Sequence, residues 1–314
     1  MTDLVTFGET MALFAARRTG PLRFARGFDL GLGGAESNVA IGVARLGHGA
    51  AWAGRVGADE FGDLIRFTLA GEGVDVRAVV DPDAPTGLMI KGRRTADLID
   101  VRYYRKNSAG SRLRPDDLDL GLITSARVLH VSAITPALSP SARAAVEHAI
   151  EAARAAGVLV SLDVNYRRAL WTPAEAGAWL REAVGQVDVL FATEAEGRLI
   201  TAVEGAEELA KALAALGPRH VLVKFGAEGA MELSDGVVRR AEPYDVTEVD
   251  SVGAGDAFAA GWLADWLAGA DPDERLSTAC AAGAFAVTSQ GDWESLPRRA
   301  DLSLLRRPAD GVSR

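Results

Sequence analysis

The segment Asp250-Ser251-Val252-Gly253-Ala254-Gly255-Asp256 runs straight into Ala257-Phe258-Ala259-Ala260-Gly261-Trp262-Leu263-Ala264, and most of what this chain can be follows from that junction. Two glycines around one alanine let the backbone bend tightly and leave its N–H groups uncovered. From Ala257 to Leu267 the one charged residue is Asp265. A helix apolar on all sides is buried inside a domain. Its unpaired N-terminal N–H groups and the positive end of its dipole then face whatever lies over Gly253–Asp256, which makes an anion site. Asp256 stands at the lip of that site. It can take a proton from a hydroxyl attacking a phosphoryl group while the N–H groups hold the developing charge. It can equally be a cap on a glycine-rich turn, and the spacing alone fits both readings.

Outward from this junction, short apolar runs alternate with amphipathic ones. Residues 4–7, 50–56, 128–131, 158–163, 187–191 and 220–225 read as buried strands; 36–46, 61–72, 141–156, 173–184 and 205–216 read as helices. Residues 231–233 and 237–239 flank Ser234-Asp235-Gly236, a hairpin signal, and a last helix is expected over 273–289. Strands alternating with helices predict a mostly parallel sheet covered on both faces, with ligands at the carboxyl ends of its strands. Residues 24–32, 88–91 and 98–104 have strand character but break the rhythm, which points to a separate small sheet.

The 314 residues carry 34 Lys and Arg against 43 Asp and Glu, a net charge of −9, and no basic stripe, so nucleic acid is not an expected partner. The single cysteine, Cys280, excludes an internal disulfide and a cysteine-built metal site and suits a reducing cytosol. No apolar run is long enough to span a membrane, and no signal peptide is recognisable, so a cytoplasmic protein handling a small molecule is expected.

Other clusters fit that picture. Gly33-Gly34-Ala35-Glu36-Ser37-Asn38 opens a helix, and Asn38 offers both a donor and an acceptor to a polyol. Tyr103-Tyr104-Arg105-Lys106 closes the out-of-rhythm strands, and Asp163-Val164-Asn165-Tyr166-Arg167-Arg168 leaves a strand on the ligand side. Arginines at these places either recognise an anionic substrate or are ordinary surface residues. Lys224-Phe225-Gly226-Ala227-Glu228-Gly229-Ala230 lacks the spacing of a Walker P-loop, and the first turn, Gly8-Glu9-Thr10-Met11, lacks the dinucleotide fingerprint. A dinucleotide-dependent oxidoreductase is therefore excluded. The four histidines are scattered without metal-ligand spacing.

Taken together, Gly33-Gly34-Ala35 with Asn38 and then residues 54–62 resemble the first signature of the ribokinase-like (PfkB) carbohydrate kinases, and Asp250–Asp256 matches their second at every position. Within that family the likeness is greatest to members that phosphorylate 2-keto-3-deoxygluconate, through residues 103–111, 134–140, 162–167 and Leu170-Trp171. The resemblance implies a ribokinase-like α/β domain over residues 1–305, a β-lid from about 10–32 and 86–106, and a frayed tail at 306–314. It implies ATP and Mg²⁺, with Asp256 as base and Gly253, Ala254 and Gly255 as anion hole. Gly34, Asn38, Tyr103, Arg105, Arg167 and Asp292 would hold the sugar acid. Asn165, Thr193, Lys224, Gly226, Ala227, Gly229, Gly253, Gly255 and Cys280 would serve the nucleotide, Glu196 would meet the metal indirectly, and the lid would form a homo-oligomer interface.

Three departures from the family pattern stand out. Thr193-Glu194-Ala195-Glu196 lacks the usual asparagine, Met89 replaces a frequent lid tyrosine, and Cys280 replaces a frequent asparagine. A family kinase of a neutral sugar such as fructose, and a non-catalytic sugar-binding regulator, remain as rival expectations.

Overall fold

The computed structural model describes residues 2–95 and 98–306; the expected frayed tail thus lies, apart from Arg306, outside the described residues. The chain begins with β1 (Leu4–Phe7), β2 (Met11–Ala16), β3 (Phe28–Gly33), α1 (Ala35–Arg45), β4 (Ala50–Gly57), α2 (Glu60–Gly71), β5 (Asp75–Asp81), β6 (Leu88–Arg93) and β7 (Ile99–Tyr104). It continues through α3 (Leu120–Ser125), β8 (Val128–Ser132), α4 (Thr135–Leu138), α5 (Pro140–Ala155), β9 (Leu159–Asp163), α6 (Pro173–Val184), β10 (Val189–Thr193), α7 (Glu194–Ile200) and α8 (Ala206–Ala214). The last elements are β11 (His220–Lys224), β12 (Ala230–Ser234), β13 (Val237–Ala241), α9 (Ala254–Ala268) and α10 (Pro272–Ala286).

Nine strands form one sheet in the order β13-β12-β11-β10-β9-β8-β1-β4-β5, parallel from β11 to β5 and closed at the other edge by the antiparallel β12–β13 hairpin. Alternate residues of each strand feed two cores, as the pleat requires. Val5, Leu129, Val160, Leu190 and Val221 pack with α5 and α6 on one face. Leu4, Val128, Val189 and Leu222 pack with α1, α2, α9 and α10 on the other. All the parallel strands end on one edge, so the residues at 8–9, 132, 163, 193 and 224 converge there.

Helix α9 is buried as its composition requires. Trp262 lies edge-on to Phe191 of β10 at 5.9 Å and donates from Nε1 to Glu232 at 3.1 Å. Its lone mid-helix charge, Asp265, is paired with Arg299. Helix α1 lies against α9 at Gly42, where a Cβ would stand 2.6 Å from that of Ala260. That close approach, one helical turn beyond Asn38, brings Asn38 to Asp256.

The second sheet, β3-β2-β6-β7, is the expected small lid. It is antiparallel at β2–β3 and β6–β7 and parallel at β2–β6. The structure corrects the reading of residues 24–32, because Leu22–Phe24 is a 3₁₀ turn and the strand starts only at Phe28. It also adds β2 and β5, which the rhythm of the sequence did not reveal.

Candidate active site

Gly253 caps α9 with φ of 84°, and a Cβ there would stand 2.1 Å from the carbonyl oxygen of Asp292. Only glycine suits both the left-handed conformation and the contact. Among the described residues, the N–H groups of Gly253, Gly255 and Asp256 have no backbone acceptor, whereas Ala254 donates weakly to Ser251 at 3.4 Å. Three free donors at the positive end of a buried helix can serve as an anion cradle. Lys224, at the end of β11, completes it: a Cβ on Gly255 would lie 3.3 Å from the Lys224 Nζ. Burial alone would lower the Lys224 pKa, but the charges of Asp163, Glu196 and Asp256 outweigh it and hold the ammonium ionised. Asp163 anchors that ammonium at 2.8 and 3.0 Å.

Asp256 lies beside this cradle, buried. Asn38 donates to its Oδ2 at 2.8 Å and Asn165 to its Oδ1 at 3.2 Å. Asn165 is held at φ of 36° by its place in the tight turn after β9, where its own N–H donates to Asp163 at 3.1 Å. Burial pushes the Asp256 carboxyl up to about 7, with Asp163 adding to the rise and Asn38, Arg167 and Lys224 opposing it. A carboxyl poised near neutrality is suited to accept a proton at working pH. The Asn38 Oδ1 is buried without a partner. An orphaned acceptor next to that carboxyl could take a ligand hydroxyl.

A cleft of about 1230 Å³ opens between β7 of the lid and the loop after β9, lined among others by Tyr103, Arg105, Lys106, Arg167 and Arg168, with Asp83 as its only acid among the described residues. Its two expected anchors differ. Arg105 donates from Nε to the buried Glu9 carboxylate at 2.7 Å, Nη2 reaches the same oxygen, and the guanidinium lies 5.7 Å from the Tyr103 ring. The Arg167 side chain is exposed and, among the described residues, makes no hydrogen bond or ion pair. Arg105, expected to meet an anionic substrate or to be an ordinary surface residue, is instead already paired by the buried Glu9.

Free N–H groups at a buried helix start, a carboxyl with a raised pKa beside them and a cationic cleft next to a small sheet suit phosphoryl transfer to a small hydroxylated molecule. Residues 1–299 match the pfkB family carbohydrate kinases. The chain belongs to that family. It is 38% identical to the 2-dehydro-3-deoxygluconokinase of Bacillus subtilis (strain 168), over 96% of this chain and 94% of the relative. It is 34% identical to fructokinase-1 of Zea mays, over 95% and 96% of the two chains. An E. coli ribokinase II candidate, solved in complex with ATP and Mg²⁺, superposes with a TM-score of 0.90 at 28% identity, covering 98% of this chain and 99% of that one.

In this PfkB kinase Thr193 ends β10 and Glu196 follows it, and Gly226, Ala227 and Gly229 follow β11, at the same edge of the sheet. Gly34 caps α1 and presses on the Glu9 backbone. Asp292 is buried, pushed up to about 6 by burial against the opposing charge of Lys91, which donates to it at 3.3 Å. Thr193 and Glu196 form a capping box on α7: the Thr193 N–H donates to Glu196 at 2.8 Å, and the Tyr166 N–H takes the other carboxylate oxygen at 2.9 Å. Gly226 and Ala227 lie in a 3₁₀ turn after β11, and Gly229 ends it. Cys280 is buried on α10 among the core residues packed around α9, its thiol pushed up to about 12 by burial. His130 and His220 are core residues bonded to Ser161 and Glu232, in keeping with the absence of ligand spacing. Among the described residues no group of three or more His, Cys, Asp or Glu could hold a metal ion.

Sequence reasoning did not single out Glu9, Glu36, Asp163 or Lys91. Glu36 is a buried carboxylate that accepts from Ser132 at 2.7 Å and Thr135 at 2.6 Å. Charged residues at strand ends and helix starts were the available signal for the first three. Lys91 carried none, because alternation in β6 reads only as a strand.

Proposed function

We propose that this PfkB kinase transfers the γ-phosphoryl group of ATP to the terminal hydroxyl of 2-keto-3-deoxygluconate, giving 2-keto-3-deoxy-6-phosphogluconate. The carrying observation is the juxtaposition of Asp256, raised to about 7, with the free N–H groups of Gly253, Gly255 and Asp256 and the Lys224 ammonium. The hydroxyl proton passes to Asp256 as the new O–P bond forms and the bond to ADP breaks. The N–H groups and Lys224 stabilise the charge on the transferring group, which is where phosphoryl transfer needs help. Asn38 and Asn165 aim the carboxylate, and the Asn38 Oδ1 takes a sugar hydroxyl. Gly34, Tyr103, Arg105, Arg167 and Asp292 surround the sugar acid, with Arg167 as the main partner of its carboxylate. Thr193, Gly226, Ala227, Gly229 and Cys280 lie on the nucleotide side. Glu196 would meet a bound Mg²⁺ only indirectly, and the ion would supply neutralisation of phosphate charge.

ADP release measured against a panel of keto-deoxy acids and neutral hexoses tests this reading. Turnover confined to keto-deoxy acids is expected; turnover confined to fructose would replace the substrate while keeping the chemistry. That second reading has its own support in the Arg105–Glu9 pair, which leaves one arginine fewer in need of an acid, and in the fructokinase relative. No turnover with any sugar would favour a regulator. We further propose a cytoplasmic enzyme that dimerises through the lid, where Leu30 and Tyr104 are exposed; a sedimentation mass of one chain would exclude the dimer. No helix among the described residues is long and apolar enough to cross a membrane.

A further inference from the structure

Strand β6 carries Met89, Lys91 and Arg93 at alternate positions, so all three project from one face of the lid. Met89 packs in the lid's small core with Met11 and Leu13. The other two side chains leave the lid and reach the loops around the phosphate cradle. Arg93 donates to the carbonyl of Val249. The Lys91 Nζ lies 2.5 Å from the Asp250 carboxylate, 3.3 Å from that of Asp292, and 3.3 Å from the carbonyl oxygen of Gly291. Lys91 is 5% exposed, Asp250 1% and Asp292 6%. One ammonium therefore serves two buried carboxylates in separate loops, and both would be left without that cation if it were withdrawn.

Each loop is fastened to the cradle. The other oxygen of Asp250 accepts the N–H of Val252 at 3.2 Å, directly before Gly253. The carbonyl oxygen of Asp292 abuts the Gly253 Cα so closely that a Cβ there would stand 2.1 Å from it. The N–H groups that would hold the transferring phosphoryl thus take their direction from a turn clamped on both sides by residues that Lys91 binds. We propose that Lys91 is a positioning residue for phosphoryl transfer: an internal cation, delivered by the lid, that holds the Asp250 and Asp292 loops and so sets the cradle. The cradle is then complete only when the lid is in place, which ties transfer chemistry to the element that covers the sugar.

This inference rests on the reading of Gly253–Asp256 as the cradle, and turnover by the wild-type enzyme tests that reading on its own. The experiment compares wild type, Lys91→Met and Lys91→Ala on the best sugar of the panel, with and without added ammonium or methylammonium chloride. A displaced cradle predicts that kcat of Lys91→Met falls about 10²-fold while KM for ATP stays within about threefold, because the loss is in the transition state. Lys91→Ala is expected to fall as far and to regain about tenfold with methylammonium, which the wild type ignores. A purely structural lysine would show neither the rescue nor the split between kcat and KM. A Lys91→Met kcat within about threefold of wild type, or a loss confined to KM, would overturn the proposal. So would a folded Lys91→Ala, its thermal midpoint near wild type, that no ammonium compound restores. If Lys91→Ala does not fold, the kcat and KM of Lys91→Met decide alone. An inactive wild type would overturn the cradle reading, and this inference with it.

Discussion

The two ends of the site are built on opposite terms. At the α1–α9 junction every charged group has a fixed partner: Asp256 has Asn38 and Asn165, and Lys224 has Asp163. At the mouth of the cleft, Arg167 and Arg168 are exposed and, among the described residues, unpartnered. Fixed donors and acceptors cost no reorganisation when charge moves, which suits the reacting centre. Loose cations suit recognition, because a ligand carboxylate can gain what the protein has not yet spent. Arg105 spans the two regimes, since among the described residues Nη1 has no partner while Nε and Nη2 are committed to Glu9.

The reacting end should be the more fragile in rate. Asp256→Asn keeps the shape of the side chain and removes its basicity, so kcat is expected to fall by about 10²–10⁴-fold, the range for a lost general base. Turnover near wild type would remove Asp256 from the mechanism. The next largest effect belongs to stability. Arg105→Ala strands the buried Glu9 carboxylate with Ser108 as its remaining partner, and breaking such a pair costs about 3 kcal/mol or more. Urea unfolding measures it, and a loss below about 1 kcal/mol would mean that water replaces the guanidinium at no great cost.

What the sequence made legible follows the same division. The turn before α9 was readable because Gly253 to Asp256 are consecutive and the helix behind them is apolar on all sides, so local pattern and buried position coincide. The parallel core was readable because its strands are short apolar runs between amphipathic helices. Strand β2 was not, since Met-Ala-Leu-Phe-Ala-Ala has no alternation and an alanine-rich run reads as helix as easily as strand. Strand β5 is an edge strand, half-buried, with Asp75 and Arg77 among its apolar residues. The partnerships escaped altogether. Asn38 and Asp256 are 218 residues apart, and Arg105 and Glu9 are separated by 96. Periodicity carries no information at that range, so nothing in the sequence pointed to the pairing of Arg105 with Glu9.

At the mouth the expected effects are smaller and selective. Arg167→Ala should raise KM for an acidic sugar by about 10–10²-fold, as the loss of a charge-assisted contact does, and leave a neutral sugar within about threefold. Equal effects on both sugars would remove Arg167 from carboxylate recognition and sharpen the case for fructose.

The same variant also links the two ends through pH. Because burial raises the Asp256 pKa to about 7, the base is protonated and idle below that value, and kcat/KM should rise with pH and level off above it. Arg167 opposes that rise by favouring the ionised carboxylate, so its removal lets the pKa climb further. The inflection of Arg167→Ala should therefore lie at higher pH than that of wild type, by a fraction of a unit up to about one, since Arg167 is exposed and water screens its charge. An inflection that moves down would mean that another group controls the profile. One that stays fixed would mean that the cation at the mouth is felt by the substrate alone, and that the reacting end is electrically as well as structurally self-contained.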